Sequence, residues 1–122
     1  MANEKAVLQN LLPLTPPVYH SLLALSEGSR HGYAIAQEVE SQTEGRVRMG
    51  PGTLYGTLQR MSRDGLIVES SRLADDAPHR QRRRYYRMTP LGLRVLKAEA
   101  QRLLQAVSLA KARLVIEEPE AS

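Results

Sequence analysis

The chain contains no cysteine, no tryptophan and no phenylalanine. Without cysteine it can form no disulfide, thiol nucleophile or thiolate metal site, and the composition fits a reducing compartment, so a cytoplasmic location is expected. With Tyr19, Tyr33, Tyr55, Tyr85 and Tyr86 as its aromatics, the core has to be assembled from Leu, Val, Ile, Ala and Met. Long apolar runs are missing as well. The opening MANEKAVLQNLLPLTPP lacks a basic start followed by a sustained hydrophobic stretch, and nowhere do about 18 apolar residues run together, which argues against a secretion signal or membrane span. His20, His31 and His79 are scattered without the short spacing of a metal-binding helix or loop, so neither a metal nor a cofactor is expected. No activated serine or paired-carboxylate motif stands out, and the chain is not expected to be an enzyme.

What is present suffices for one ordinary globular domain: 122 residues, 42% of them apolar and 25% charged. The net charge of +4 is unevenly distributed. From Arg46 to Arg87 ten basic residues face four acidic ones, whereas the rest of the chain has seven basic and nine acidic. Positive charge gathered on one segment attracts a polyanion through steering and counterion release; evenly mixed charge does not.

The punctuation of the chain defines its elements. Thr15-Pro16-Pro17 starts a helix, with Thr15 as the N-cap, and Glu27-Gly28 ends it. After a short turn, Ser29 to His31, a second helix is predicted over about 32–43, with Ile35 and Val39 one turn apart. The run GPGTLYGTLQRMSRDG makes a third, with Pro51 in its first turn and Gly65 closing it. Leu54, Leu58 and Met61 form its apolar stripe, and Gly52, Gly56, Gln59, Arg60 and Arg63 fall on the opposite side. Glycine inside an exposed helix costs about 1 kcal/mol relative to alanine, so an outward stripe with two of them calls for close approach of another backbone. Leu66 to Leu73 and Arg82 to Met88 read as the strands of a hairpin, joined by the exposed loop ADDAPHRQ. Thr89-Pro90 then opens a last helix, predicted to reach about Ile116. Along it Leu93, Leu96, Ala100, Leu103, Val107, Ala110 and Leu114 alternate three and four apart, a heptad seam of about 0.002 chance probability. So long a helix cannot bury its whole seam on so small a domain, and a second copy is the expected partner.

Helix, helix, helix, two-stranded wing and long terminal helix is the order of a winged helix-turn-helix. The fold class expected is therefore mainly α with a small two-stranded β wing. The expected organisation is an arm or short helix over 1–13, the winged helix-turn-helix over 14–88, a dimerisation helix over 89–116 and a flexible tail over 117–122. From about Leu14 to Val115 the chain resembles the PadR family of bacterial transcriptional regulators, in particular its short members with a single C-terminal helix. The likeness is carried by HGYAIAQEVE (31–40), GPGTLYGTLQRMSRDGLI (50–67), RRRYYRMTPLG (82–92) and the terminal seam. It departs from the family at Gly56, where members often have proline, and it lacks the tryptophan with which some short relatives hold flat aromatic drugs.

The resemblance implies a homodimeric repressor of transcription that binds a pseudo-palindromic double-stranded operator and is relieved by a small-molecule effector. A pocket for that effector between the terminal helices would be lined by Ala100, Ala106 and Ala110, residues that equally suit tight helix packing. In helix-turn-helix proteins the second helix of the motif enters the major groove N-terminus first. Here that is the helix beginning at Pro51. Gly56, with Gly52, lets its backbone come close; Thr53, Tyr55 and Thr57 flank the face, and Gln59 and Arg60 are the candidates for reading bases. His79, Arg80, Arg82 and Arg83, with Arg84 beside them, are placed to meet phosphates or a narrow minor groove. Tyr33 suits either the core or a backbone contact. Two other readings stay open: a winged helix that meets an acidic protein, and a nucleoid-type binder without sequence preference.

Overall fold

Three helices start at a proline, whose fixed φ suits a first turn and whose missing N–H would have gone unused there. In the computed structural model, which describes residues 4–73 and 82–117, these are α2 (Pro16–Leu25), α4 (Pro51–Arg63) and α5 (Pro90–Ala112). Around them lie α1 (Glu4–Leu11), β1 (Arg30–His31), α3 (Gly32–Gln42), β2 (Ile67–Leu73) and β3 (Arg82–Met88). The strands form one antiparallel sheet in the order β1-β3-β2.

Three expectations are corrected. The sheet has three strands, because Arg30 and His31, read as a turn, pair with Tyr86 and Tyr85 of β3. Thr15 holds the N-cap position of α2 but its side chain makes no capping hydrogen bond. The last helix stops at Ala112 rather than near Ile116: Leu114 takes a left-handed φ of 58°, and the Val115 amide donates back to the Ala110 carbonyl at 2.9 Å. That is the hydrogen bond of a helix-terminating turn, formed here on a leucine where glycine is usual.

The core is the common interior of α2, α3, α4, the sheet and the first turns of α5. Leu22, Ile35, Val39, Leu58, Met61, Leu66, Ile67 and Val95 are all but inaccessible. Two polar devices fix its outline. Arg30 donates from Nε to the Ala24 carbonyl at 2.8 Å and lies 3.6 Å and 3.8 Å from the carboxylates of Glu27 and Glu38, so it joins the end of α2 to α3. Glu99, buried on α5, accepts from the Leu14 amide at 2.7 Å, and Arg102 donates to both of its oxygens. The Arg102 guanidinium, against the opposing effect of burial and with the Leu14 amide assisting, holds this carboxyl below its ordinary range.

At the junction of α4, β2 and α5 the backbones approach closely, with Gly92 against the Leu66 carbonyl. Gly65, at φ 79°, ends α4, and the Leu66 amide donates back to the Met61 carbonyl at 2.9 Å. Thr89 donates from Oγ1 to the Gly65 carbonyl at 2.6 Å, accepts from the Gly92 amide at 3.0 Å, and donates its own amide to the Leu66 carbonyl at 3.0 Å. A Cβ on Gly92 would lie 2.1 Å from the Leu66 carbonyl oxygen. Gly92→Ala therefore forces the backbone apart and is expected to cost about 3 kcal/mol, the upper range for overpacking, read as a lowered urea midpoint.

Candidate nucleic-acid interface

One side of α4 is committed to the core and the other is bare. Leu54, Thr57, Leu58 and Met61 are buried, whereas Pro51, Gly52, Thr53, Tyr55, Gln59, Arg60 and Arg63 are exposed and Gly56 is half-covered. Thr57, expected to flank the contact face, is 1% exposed and cannot reach a partner. At 100° per residue it lies only about 40° round the helix from Met61, so the periodicity that picked the apolar stripe also places Thr57 within it. The other α4 residues expected at the interface share the accessible side. Arg60 lies back along the helix, its Nη2 donating to Thr57 Oγ1 at 3.4 Å and its Nη1 over the bare face of Gly56.

Among the described residues none requires either outward glycine. A Cβ on Gly52 would meet none of their atoms within 4 Å, and one on Gly56 would meet only Arg60 Nη1, at 3.5 Å. Gly32 differs, because the Tyr55 ring sits 3.0 Å from where its Cβ would be. Tyr55, 46% exposed, therefore spans from α4 to the first turn of α3 while keeping one edge in solvent. Tyr33 is 63% exposed on that same turn, which rules out the core reading. His31 has a structural task the sequence did not announce: its Nδ1 accepts from the Ala34 amide at 3.2 Å and caps α3. Among the described residues no three His, Asp or Glu side chains converge to hold a metal ion, and no helix is long and apolar enough to cross a membrane.

The hairpin stands beside α4. Arg82 and Arg83 begin β3, paired with Leu73 and Arg72, and His79 and Arg80 lie outside the described residues. Between helix and hairpin runs a cleft of about 320 Å³, with Tyr55, Gln59 and Ser62 on the helix side and Glu69 and Arg84 on the strand side. At its floor, burial and the neighbouring Glu69 raise the Tyr86 phenol above its ordinary value, with Arg84 opposing them. Glu69 was not anticipated from the sequence. Only the strand register, which sets it across from Tyr86, brings it here.

On α5 the expected seam divides. Leu96 is buried in the chain's own core and is thereby withdrawn from any interface, and Leu114, 89% exposed, lies beyond the end of the helix. Leu93, Ala100, Leu103 and Val107 are exposed and Ala110 is half-buried. Leu104, 57% exposed, widens the apolar face beyond the strict heptad positions.

The family described as the transcriptional regulator PadR-like family matches residues 22–98. A transcriptional regulator of Mycobacterium tuberculosis is 37% identical over 89 residues, covering 73% of this chain and 76% of that protein. Among solved structures, a PadR family transcription regulator from Clostridium difficile superposes with a TM-score of 0.68 at 22% identity, over 82% of this chain and 99% of that one. Bacillus subtilis PadR, solved in complex with operator DNA, matches with a TM-score of 0.59 at 16% identity, over 90% of this chain and 52% of that one. At these identities the two structures speak for the fold.

The open surroundings of Gly56 generate a test. Gly56→Ala removes backbone freedom from a helix interior without a clash, so it is expected to stabilise the fold by about 1 kcal/mol, seen as a raised urea midpoint. An unchanged or lowered midpoint would mean that the glycine serves the fold.

Proposed function

The chain belongs to the PadR-like family of transcriptional regulators, and from that premise we propose that it is a homodimeric, sequence-specific binder of double-stranded DNA that represses transcription until a small effector releases it. The observation that carries this reading is the accessible face of α4, where two glycines that no described residue of the chain requires lie beside Gln59, Arg60 and Arg63. A backbone bared in this way admits the wall of a major groove, about 12 Å wide, at the distance where side chains reach base edges. The positive end of the helix and its free amides suit a phosphate at the groove's rim.

The roles divide by chemistry. Gln59 offers a paired donor and acceptor for adenine, and Arg60, swung away from Thr57, a fork for guanine. Thr53, Tyr55 and Tyr33 suit phosphate contacts, while the hairpin arginines Arg82 and Arg83, with His79 and Arg80, add charge without reading sequence. A dimer with the molecule's two-fold symmetry would ask for half-sites about one helical turn, roughly 34 Å, apart. Repression follows from occupancy, since a protein seated across two grooves obstructs other proteins on the same duplex. Such a regulator works in the compartment that holds the DNA, the cytoplasm of a bacterial cell.

The dimer rests on a face of α5 that the described residues leave uncovered. Leu103, Leu104 and Val107 form a contiguous exposed apolar strip past the last buried turn, a feature that marks an association surface. Ala100, Ala106 and Ala110 on the same half of the helix leave room for close helix approach or for the effector.

Two experiments decide these points. Selection from random-sequence duplexes should return one pseudo-palindromic site. On that site Gln59→Ala should change the preferred base at one position, whereas the Arg82→Ala, Arg83→Ala double variant should weaken all duplexes alike by about tenfold to a hundredfold and flatten the salt dependence. Recovery of no preferred site would overturn sequence-specific binding. In sedimentation at micromolar concentration the protein should run as a dimer, and Leu103→Glu combined with Val107→Glu should yield a folded monomer. A monomeric parent chain would remove the dimer from the account.

A further inference from the structure

Residues paired across β2 and β3 project to the same face of the hairpin, as do residues two apart along a strand. Glu69 opposes Tyr86, and Arg84 lies two residues before Tyr86, so all three share the face turned toward α4. There Glu69 Oε1 stands 3.5 Å from Arg84 Nε, with side-chain exposures of 38% and 66%. An ion pair this wet contributes little net stability, because water and salt already satisfy both charges. Its consequence lies elsewhere: it keeps an arginine in the cleft between helix and hairpin while holding a carboxylate beside it.

With α4 in a major groove and the hairpin over the adjoining minor groove, one sugar-phosphate strand runs between them, along this cleft. A phosphate can accept two parallel hydrogen bonds from a guanidinium, whereas its repulsion of a carboxylate as exposed as Glu69 is largely screened by water and salt. We propose that Glu69 is a negative determinant of DNA affinity: it holds Arg84 in the free protein, and a backbone phosphate entering the cleft must take Arg84 from it. The inference rests on the DNA-binding reading above. Glu69 acts through Arg84 and is in that sense a positioning residue. Trading one anion for another leaves the local charge balance nearly unchanged, so Arg84 adds little to generic attraction while Glu69 is present. That restrains a protein whose basic segment would otherwise hold any duplex.

The test measures binding of a labelled duplex carrying the selected site, and of one with the same bases scrambled, across a salt series. Glu69→Gln should tighten binding to both duplexes by about threefold to fivefold, and should steepen the slope of log affinity against log salt by about 0.9, the signature of one more phosphate neutralised. Arg84→Ala alone should stay within about twofold of the parent, and adding it to Glu69→Gln should abolish the gain. Urea midpoints like the parent's confirm folded variants, with Glu69→Ala as a second means of removing the charge. The inference is overturned if Glu69→Gln and Glu69→Ala leave affinity and slope unchanged, or if the gain survives without Arg84, which would make it a matter of overall charge. Should the parent bind neither duplex at low salt, the DNA-binding reading falls together with it; a parent that binds beside variants without gain sinks this inference alone.

Discussion

The orientation of α4 relative to α5 depends on the contact of Thr89 and Gly92 with the Gly65-Leu66 turn. The C-terminal end of α4 at Arg63 and the first turn of α5 at Pro90 meet here in space, and each brings unsatisfied backbone groups to the meeting point. Thr89 serves both at once: its hydroxyl covers a carbonyl left by the end of α4 and accepts an amide from the start of α5. Gly92 lets the two backbones close to a distance that no other residue would allow. Buried backbone groups left unpaired here would cost about 1–3 kcal/mol each, so the junction has few alternatives of similar energy. The helix proposed to meet DNA and the helix proposed to meet a second copy are therefore one rigid unit.

Rigidity at that junction compensates for a helix that is poor by its own propensity. Gly52, Thr53, Gly56 and Thr57 all weaken α4 as an isolated segment. It forms because Leu54, Leu58 and Met61 are buried on one side, because Pro51 and Gly65 set its ends, and because Tyr55 wedges against Gly32 of α3. Packing of the inner face leaves the outer face free to be chosen for something other than stability. Arg60 and Arg63 are consistent with either use, since cations at the end of a helix also favour its dipole.

The elements were readable wherever they carry punctuation. Pro16, Pro51 and Pro90, with Gly28 and Gly65, mark boundaries that the structure keeps to within a few residues, and the alternation at Tyr86 and Met88 turns those side chains inward. Two-residue β1 was invisible because a strand that short has no periodicity; its pairing arises only once β3 is in place. Helix periodicity overreached at the end of α5, since nothing in Leu114 announces a left-handed turn. In the candidate interface, the exposed side of α4 followed from the 3.6-residue repeat, and Thr57 was misplaced by ignoring that same repeat. The meeting of Glu69 with Arg84, itself already a candidate phosphate contact, was beyond reach, because it depends on the register of β2 against β3, which no single-strand pattern specifies.

A fixed junction also makes the proposed dimer a lever. From Gly92 to Val107 the helix rises roughly 22 Å at 1.5 Å per residue, so a 10° swing about a contact at Val107 would displace the junction, and α4 with it, by about 4 Å. That is close to the 3.4 Å spacing of bases along a strand, so a modest repacking along Leu103 and Val107 would shift one recognition helix by about a base pair relative to the other. An effector would then not need to touch α4 or the hairpin. It would need only to prefer one crossing of the paired α5 helices over another, and its differential affinity for the two would set the limit on how far it could release the protein from DNA.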